Sequence, residues 1–257
     1  MLTGLTVLLP PSETKREGGD TARTLDLGAL SFPELADERA AVITAARSVS
    51  SEESTARTAL KLGPKSVAER LRNLELDTAP TLPAVERYTG VLYDPLDATG
   101  ADDATRRWWT DHVLVQSAMF GPIGAGDHIP AYRLSHDSRL GALRLAKHWP
   151  GPSSDVLGAR TGGLVLDLRS EGYRSLGPVD DAVVLRVVSV DGGGRRRALN
   201  HWNKTAKGRL TALLARTGAD VGDPASLLRW AGEHGVVVER TDDGWDLVAE
   251  SLEPARV

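Results

Sequence analysis

The side chains best suited to chemistry fall in short polar clusters that interrupt apolar runs. Pro11-Ser12-Glu13-Thr14-Lys15 follows the apolar residues 5–9, and Tyr88-Thr89-Gly90 lies mid-chain. Ser117-Ala118-Met119-Phe120-Gly121 precedes a Gly/Pro-rich stretch, and Pro130-Ala131-Tyr132-Arg133-Leu134 follows it. Asp167-Leu168-Arg169-Ser170 ends a second apolar run, and residues 203–209, Asn-Lys-Thr-Ala-Lys-Gly-Arg, open a helical pattern. Lys15, Arg133, Arg169, Lys204, Lys207 and Arg209 therefore stand after strands or at helix starts, positions that gather at the ligand edge of an α/β sheet. Free N–H groups at a helix start, joined by cations in the first turns, favour a phosphate. Lys204 and Lys207 are three apart and occupy neighbouring helix positions. Taken alone they read as a solvated helix face; together with Arg133 and Arg169 they favour an anion-binding cleft, to which Tyr88, Ser170 and Asn203 are assigned. Glu13 and Asp167 repel phosphate, so a surface that only binds a phosphate backbone has little use for them. In a catalytic reading Glu13 or Asp167 is the general base, cations such as Lys15 and Arg133 stabilise charge, and Tyr132 sits in the same motif.

A second feature is Leu60-Lys61-Leu62-Gly63-Pro64-Lys65, followed by a helical pattern to residue 74. It resembles a helix-hairpin-helix element over residues 52–74, whose Gly-containing turn offers N–H groups to a DNA phosphate, with Lys61 or Lys65 adding a cation. Lys61 stands where such hairpins carry their first glycine. The alternative is an ordinary helical turn with Pro64 at the first helical position. Tyr88, Tyr132 and Trp202 can stack bases or belong to the core, the latter favoured for Trp202.

Other chemistries lack their residues. With no cysteine there is no disulfide, thiolate metal site, iron–sulfur cluster or thiol peroxidase. His112, His128, His136, His148, His201 and His234 are scattered without metal-ligand spacing, so neither a metal nor a cofactor is expected. No dinucleotide fingerprint, phosphate-binding P-loop or nucleophile elbow occurs.

The elements that must position these residues mix helix and strand. Apolar runs at residues 5–9, 164–168 and 182–190 predict strands. A glycine turn at 191–194 predicts a returning strand over 195–202, and residues 236–239 and 245–248 predict a hairpin. Helical spacing appears over 32–49, 52–62, 65–74, 102–115, 139–149, 204–217 and 227–234, while 121–130 reads as a loop. The fold class expected is α/β (α+β), a mixed central sheet flanked by helices with the hairpin-like insertion, and residues 1–257 are expected to form one domain. The chain has 257 residues and a net charge of −4. Residues 133–209 carry 14 Lys/Arg against 7 Asp/Glu, so a basic surface on an acidic body is expected. No apolar run approaches the roughly 20 residues of a membrane helix, and no leader is visible, so a cytoplasmic location is the default.

In order and spacing the polar clusters resemble those of the YaaA family, the peroxide stress proteins, from residue 5 to about 214, more weakly beyond. The resemblance implies a role in the response to hydrogen peroxide that limits iron-driven damage to DNA. It favours non-sequence-specific DNA as partner, bound through backbone phosphates by the cleft and the hairpin. The competing expectation is an enzyme acting on a nucleotide or another phosphorylated small molecule in the same cleft.

Overall fold

The computed structural model describes residues 2–190, 196–198 and 203–252. Its centre is strand β1 (Leu2–Leu9), whose Leu5, Val7, Leu8 and Leu9 are all buried, as a strand covered on both faces requires. After β1 come helices α1 (Ala36–Ser51) and α2 (Glu53–Ala59), then β2 (Leu82–Pro83), α3 (Ala84–Arg87) and α4 (Asp103–His112). Strands β3 (Val113–Ser117), β4 (Gly121–Gly124) and β5 (His128–Ile129) follow, then α5 (Leu145–His148), α6 (Pro150–Arg160), β6 (Thr161–Asp167) and α7 (Glu171–Arg174). The last elements are β7 (Val183–Val190), β8 (Arg196–Ala198), α8 (Asn203–Arg216), α9 (Pro224–Glu233), β9 (Val238–Thr241) and β10 (Gly244–Val248).

The main sheet has the order β4-β3-β1-β6-β7-β10-β9, with β8 against β7. Strands β3, β1, β6, β7 and β10 run parallel, while β4, β8 and β9 add antiparallel partners. The mixed sheet expected from the sequence is thus present. β2 and β5 form a separate antiparallel pair. Among the described residues no helix is long and apolar enough to cross a membrane.

Local chemistry sets the helix ends. Asp102 caps α4 by accepting from Thr105 N at 2.8 Å, and Asp223 and Ser226 form a reciprocal capping box at α9. Helix α1 carries a charged residue on its inner face: Arg39 is fully buried. It donates to the carbonyls of Phe120 at 2.9 Å, Ser31 at 2.6 Å, Pro122 at 3.1 Å and Leu27 at 3.4 Å, tying α1 to β4.

Some expected elements differ. Residues 113–117 leave the helix predicted over 102–115 and form β3, every residue of which is buried. The Gly/Pro stretch begins not as a loop but as β4, since Pro122 sits on an edge strand that needs no N–H there. The helix expected over 139–149 is only the short α5, and Pro150 then starts α6. Residues 65–74 form a turn and a 3-10 helix (Val67–Asn73), not an α-helix. The expected 191–194 turn and Trp202 lie outside the described residues.

Candidate functional site

The chain leaves β1 toward β3 on one side, whereas it leaves β6 toward β7 on the other. The carboxyl ends of β1 and β6 therefore bound a topological switch point, the crevice where open α/β sheets bind ligands. A cavity of about 600 Å³ lies there, between residues 10–14 after β1, 168–173 after β6, 90–93, and the start of α8. Two glycines bring its walls together. Gly90 has φ +95°, and a Cβ there would stand 3.1 Å from Thr14 Oγ1. Gly208 lets α8 touch the backbone at Leu92, since a Cβ would fall 2.1 Å from that carbonyl oxygen.

Asn203, Lys204 and Lys207 line the cavity from the first turns of α8. Asn203 and Lys207 are one turn apart and share a face. The Lys207 side chain is only 7% exposed, and among the described residues its ammonium has no hydrogen-bond or ion-pair partner. Burial pulls its pKa down to about 8, against the opposing pull of the Asp167 charge; Arg174 adds to the lowering. Asn203 Oδ1 is likewise buried without a partner among the described residues. Lys204 is exposed at the rim, together with Ser170. Tyr173 and Tyr93 complete the wall, the latter donating its hydroxyl to Pro10 O at 2.8 Å.

The other predicted residues divide. Glu13 lines the cavity and accepts from Arg133 Nη2 at 2.9 Å. Arg133 also reaches Glu69 at 3.3 Å, so this guanidinium already holds two carboxylates. Lys15 does not line the cavity. Its ammonium is tucked under the loop, donating to Ser12 O at 2.9 Å and Glu13 O at 3.4 Å, and lies 4.0 Å above the Tyr132 ring. Burial, then the Arg133 and Arg72 charges, lower its pKa to about 7. The tyrosines form a buried chain: Tyr88 and Tyr132 share a hydroxyl hydrogen bond of 2.8 Å, and Tyr132 meets Ser117 Oγ at 2.8 Å. That Ser117 oxygen accepts from the N–H groups of Met119 and Phe120, so the chain shapes the backbone rather than facing solvent. Lys15, Tyr88 and Tyr132 therefore hold the loop from behind.

Asp167 and Arg169 correct the sequence reading more sharply. Asp167 Oδ1 accepts from Arg169 N at 3.0 Å and Nε at 2.9 Å, and Oδ2 accepts from Nη2 at 2.6 Å. Both residues are 2% exposed, and Gln116 Oε1 accepts from Arg169 Nη1. Each is the other's charge partner, and neither lines the cavity between β1, β6 and α8; both face a separate, smaller pocket. Arg209 turns away to donate to Leu252 O. In the 52–74 segment Lys61 pairs with Asp137, Lys65 is exposed, and the Gly63 N–H is taken by Ser66 Oγ at 3.1 Å. None of Lys61, Gly63 and Lys65 lines the cavity. Among the described residues no group of three or more His, Asp or Glu side chains is arranged to hold a metal ion.

Sequence reasoning missed Tyr93, Leu92 and Tyr173 as wall residues. The apolar residues 91–93 carry no chemical signature, and only their place beside Tyr88-Thr89-Gly90 hints at the site.

The family model for "Peroxide stress protein YaaA" matches residues 5–234. A UPF0246 protein of Corynebacterium efficiens is 42% identical over 234 residues, covering 88% of this chain and 92% of its own. A UPF0246 protein of Streptomyces coelicolor is 39% identical over 238 residues, 91% of each chain. One from Corynebacterium glutamicum is 38% identical over 243 residues, covering 91% of this chain and 94% of its own. With that match across the strands, loops and helix start that build the cavity, this chain belongs to the YaaA family of peroxide stress proteins.

Proposed function

We propose that the chain serves in the peroxide stress response by binding, and acting on, a phosphorylated small molecule of nucleotide size in the cleft between β1, β6 and α8. The observation that carries this reading is a buried Lys207 with no hydrogen-bond or ion-pair partner among the described residues, beside Asn203 Oδ1, also buried without a partner, on one face of the first turns of α8 in a cavity of about 600 Å³. Unpaired buried polar groups are costly, so they imply a ligand that satisfies them. The first N–H groups of α8 have no acceptor further up the helix, and with Lys204 at the rim they suit a phosphate. Pro10, Pro11 and Leu92 offer apolar walls for the remainder of the molecule, and Glu13 is the carboxylate within reach. The volume fits a small ligand rather than a duplex.

Calorimetric titration with AMP and with inorganic phosphate tests this reading. The expected result is saturable binding of AMP, weakened about tenfold or more by Lys204→Glu, since a charge-assisted phosphate contact is worth about 1.5–3 kcal/mol. No heat from either compound at millimolar concentration would remove the cleft as an anion site.

Contact with DNA phosphates through residues 61–65 is a second reading, favoured by the exposed Lys65 beside the Gly63-Pro64 turn. Its hairpin amide at Gly63 must first leave Ser66 Oγ. With labelled duplex and bubble DNA across a salt series, Lys65→Glu should weaken binding and flatten the salt slope by about one unit. Unchanged affinity would take the turn out of the argument.

A further inference from the structure

We propose that Lys207 is an imine-forming lysine and that the cleft takes phosphorylated aldehydes or ketones, with α8 holding the phosphate and the Lys207 amine adding to the carbonyl. This rests on the anion-binding reading of the same cleft and adds to it the reactive group of the ligand.

The geometry separates two cations by depth. Lys204 stands in solvent at the rim, where it meets a phosphate without losing its own hydration. Lys207, one residue short of a turn further along α8, is more than nine-tenths buried and lines the cavity together with Pro10, Leu92, Leu168 and Tyr173. A structural lysine at such depth is normally paired with a carboxylate, yet among the described residues none hydrogen-bonds to it. Its nearest strong acid, Asp167, spends both oxygens on Arg169. A buried amine with no carboxylate hydrogen-bonded to it is the environment that activates lysine as a nucleophile. At the pKa of about 8, roughly a tenth of the amine is neutral at pH 7, against about one part in three thousand for an ordinary lysine.

The step balances without a redox partner. The Lys207 nitrogen lone pair forms a bond to the carbonyl carbon, and the amine proton passes to the carbonyl oxygen, giving a carbinolamine. Loss of that hydroxyl with a proton, as water, leaves the imine. Glu13, which lines the same cavity while accepting from Arg133, is the proposed carrier of the proton between nitrogen and oxygen.

The test uses the full chain, pyridoxal 5′-phosphate as probe, borohydride to trap the imine, and peptide mass mapping of the product. The expected result is one adduct on Lys207, formed at least about tenfold faster than on Lys61, Lys65, Lys147 or Lys204. AMP should suppress it, phosphate-free pyridoxal should react about tenfold more slowly, and its rate should rise with pH through about 8. Lys207→Arg, checked for native circular dichroism, should lose the adduct; mapping on the unaltered protein decides the question even where a variant fails to fold. Labelling spread evenly over the lysines, or an unlabelled Lys207 in protein that still binds AMP, overturns the imine while leaving the anion cleft. Labelling of Lys207 that AMP does not suppress, in protein that binds no AMP, retains the reactive amine and overturns the anion cleft.

Discussion

Arg39→Ala is expected to lower the unfolding free energy by about 3–5 kcal/mol, measured by urea denaturation with an unchanged slope. The guanidinium is fully buried in the first turn of α1 and satisfies carbonyls of Leu27, Ser31, Phe120 and Pro122. Burial draws its pKa down to about 10, and the nearby Asp127, Glu34 and Glu38 charges oppose that shift. Truncation leaves those carbonyls in a dry interior without donors, each costing about 1–3 kcal/mol, and opens a cavity beneath α1. Arg39→Lys keeps the charge but not the fork, so it should recover only part of the loss. A change below about 1 kcal/mol for alanine would mean that water replaces the guanidinium freely and that α1 is held by its apolar face alone.

Arg39 also shows what was legible in the sequence. It falls in register with Leu35, Val42, Ile43 and Ala46, on the face that the apolar spacing already turns inward. Composition argues for exposure of an arginine, while periodicity argues for burial, and in the structure periodicity prevails. The same contest explains β3. Val113-Leu114-Val115-Gln116-Ser117 continues the apolar pattern of α4, so nothing in spacing marks the end of the helix after His112. The apolar runs that became β1 and β6 were readable because strands covered on both faces read as near-continuous apolar runs, and β7 was readable because its Val and Leu density outweighs the exposed Arg186. The β4 stretch was not, because its Gly and Pro signal a loop unless the strand is known to lie at an edge.

For the cavity, the sequence marked loops that the fold brings together but not which of their side chains face it. Residues 11–15, 88–90, 168–170 and 203–207 do converge, as positions at the ends of parallel strands and at a helix start must. Facing direction depends on a turn's dihedrals. Within one pentapeptide Ser12, Glu13 and Thr14 line the cavity, whereas Lys15 folds back under it to the Tyr132 ring. Charge type says nothing of that. Nor does it show whether a cation is already satisfied: Arg133 and Arg169 hold carboxylates, while among the described residues Lys207 has no ion-pair partner.

Asp167→Asn is the second large expected effect, a loss of about 3–5 kcal/mol, because it leaves the Arg169 guanidinium buried without its countercharge. The pair is within 3% of full burial on both sides, so solvent gives little relief. The double variant Asp167→Leu/Arg169→Met should regain most of that loss, since removing both charges abolishes the desolvation cost together with the attraction. A catalytic base gives the opposite pattern: Asp167→Asn would spare stability and abolish turnover. The substitution also reaches the cavity. The Asp167 charge raises the Lys207 pKa, opposing burial, so Asp167→Asn in the surviving folded fraction should bring the Lys207 proton off below pH 8. The alkaline rise of probe labelling at Lys207 then moves to lower pH, whereas an unmoved profile would mean that the Arg169 charge already cancels Asp167 at that distance. The carboxylate that the sequence offers as a base is thus expected to act at one remove, by holding Arg169 at the end of β6 and by opposing the effect of burial on the Lys207 amine.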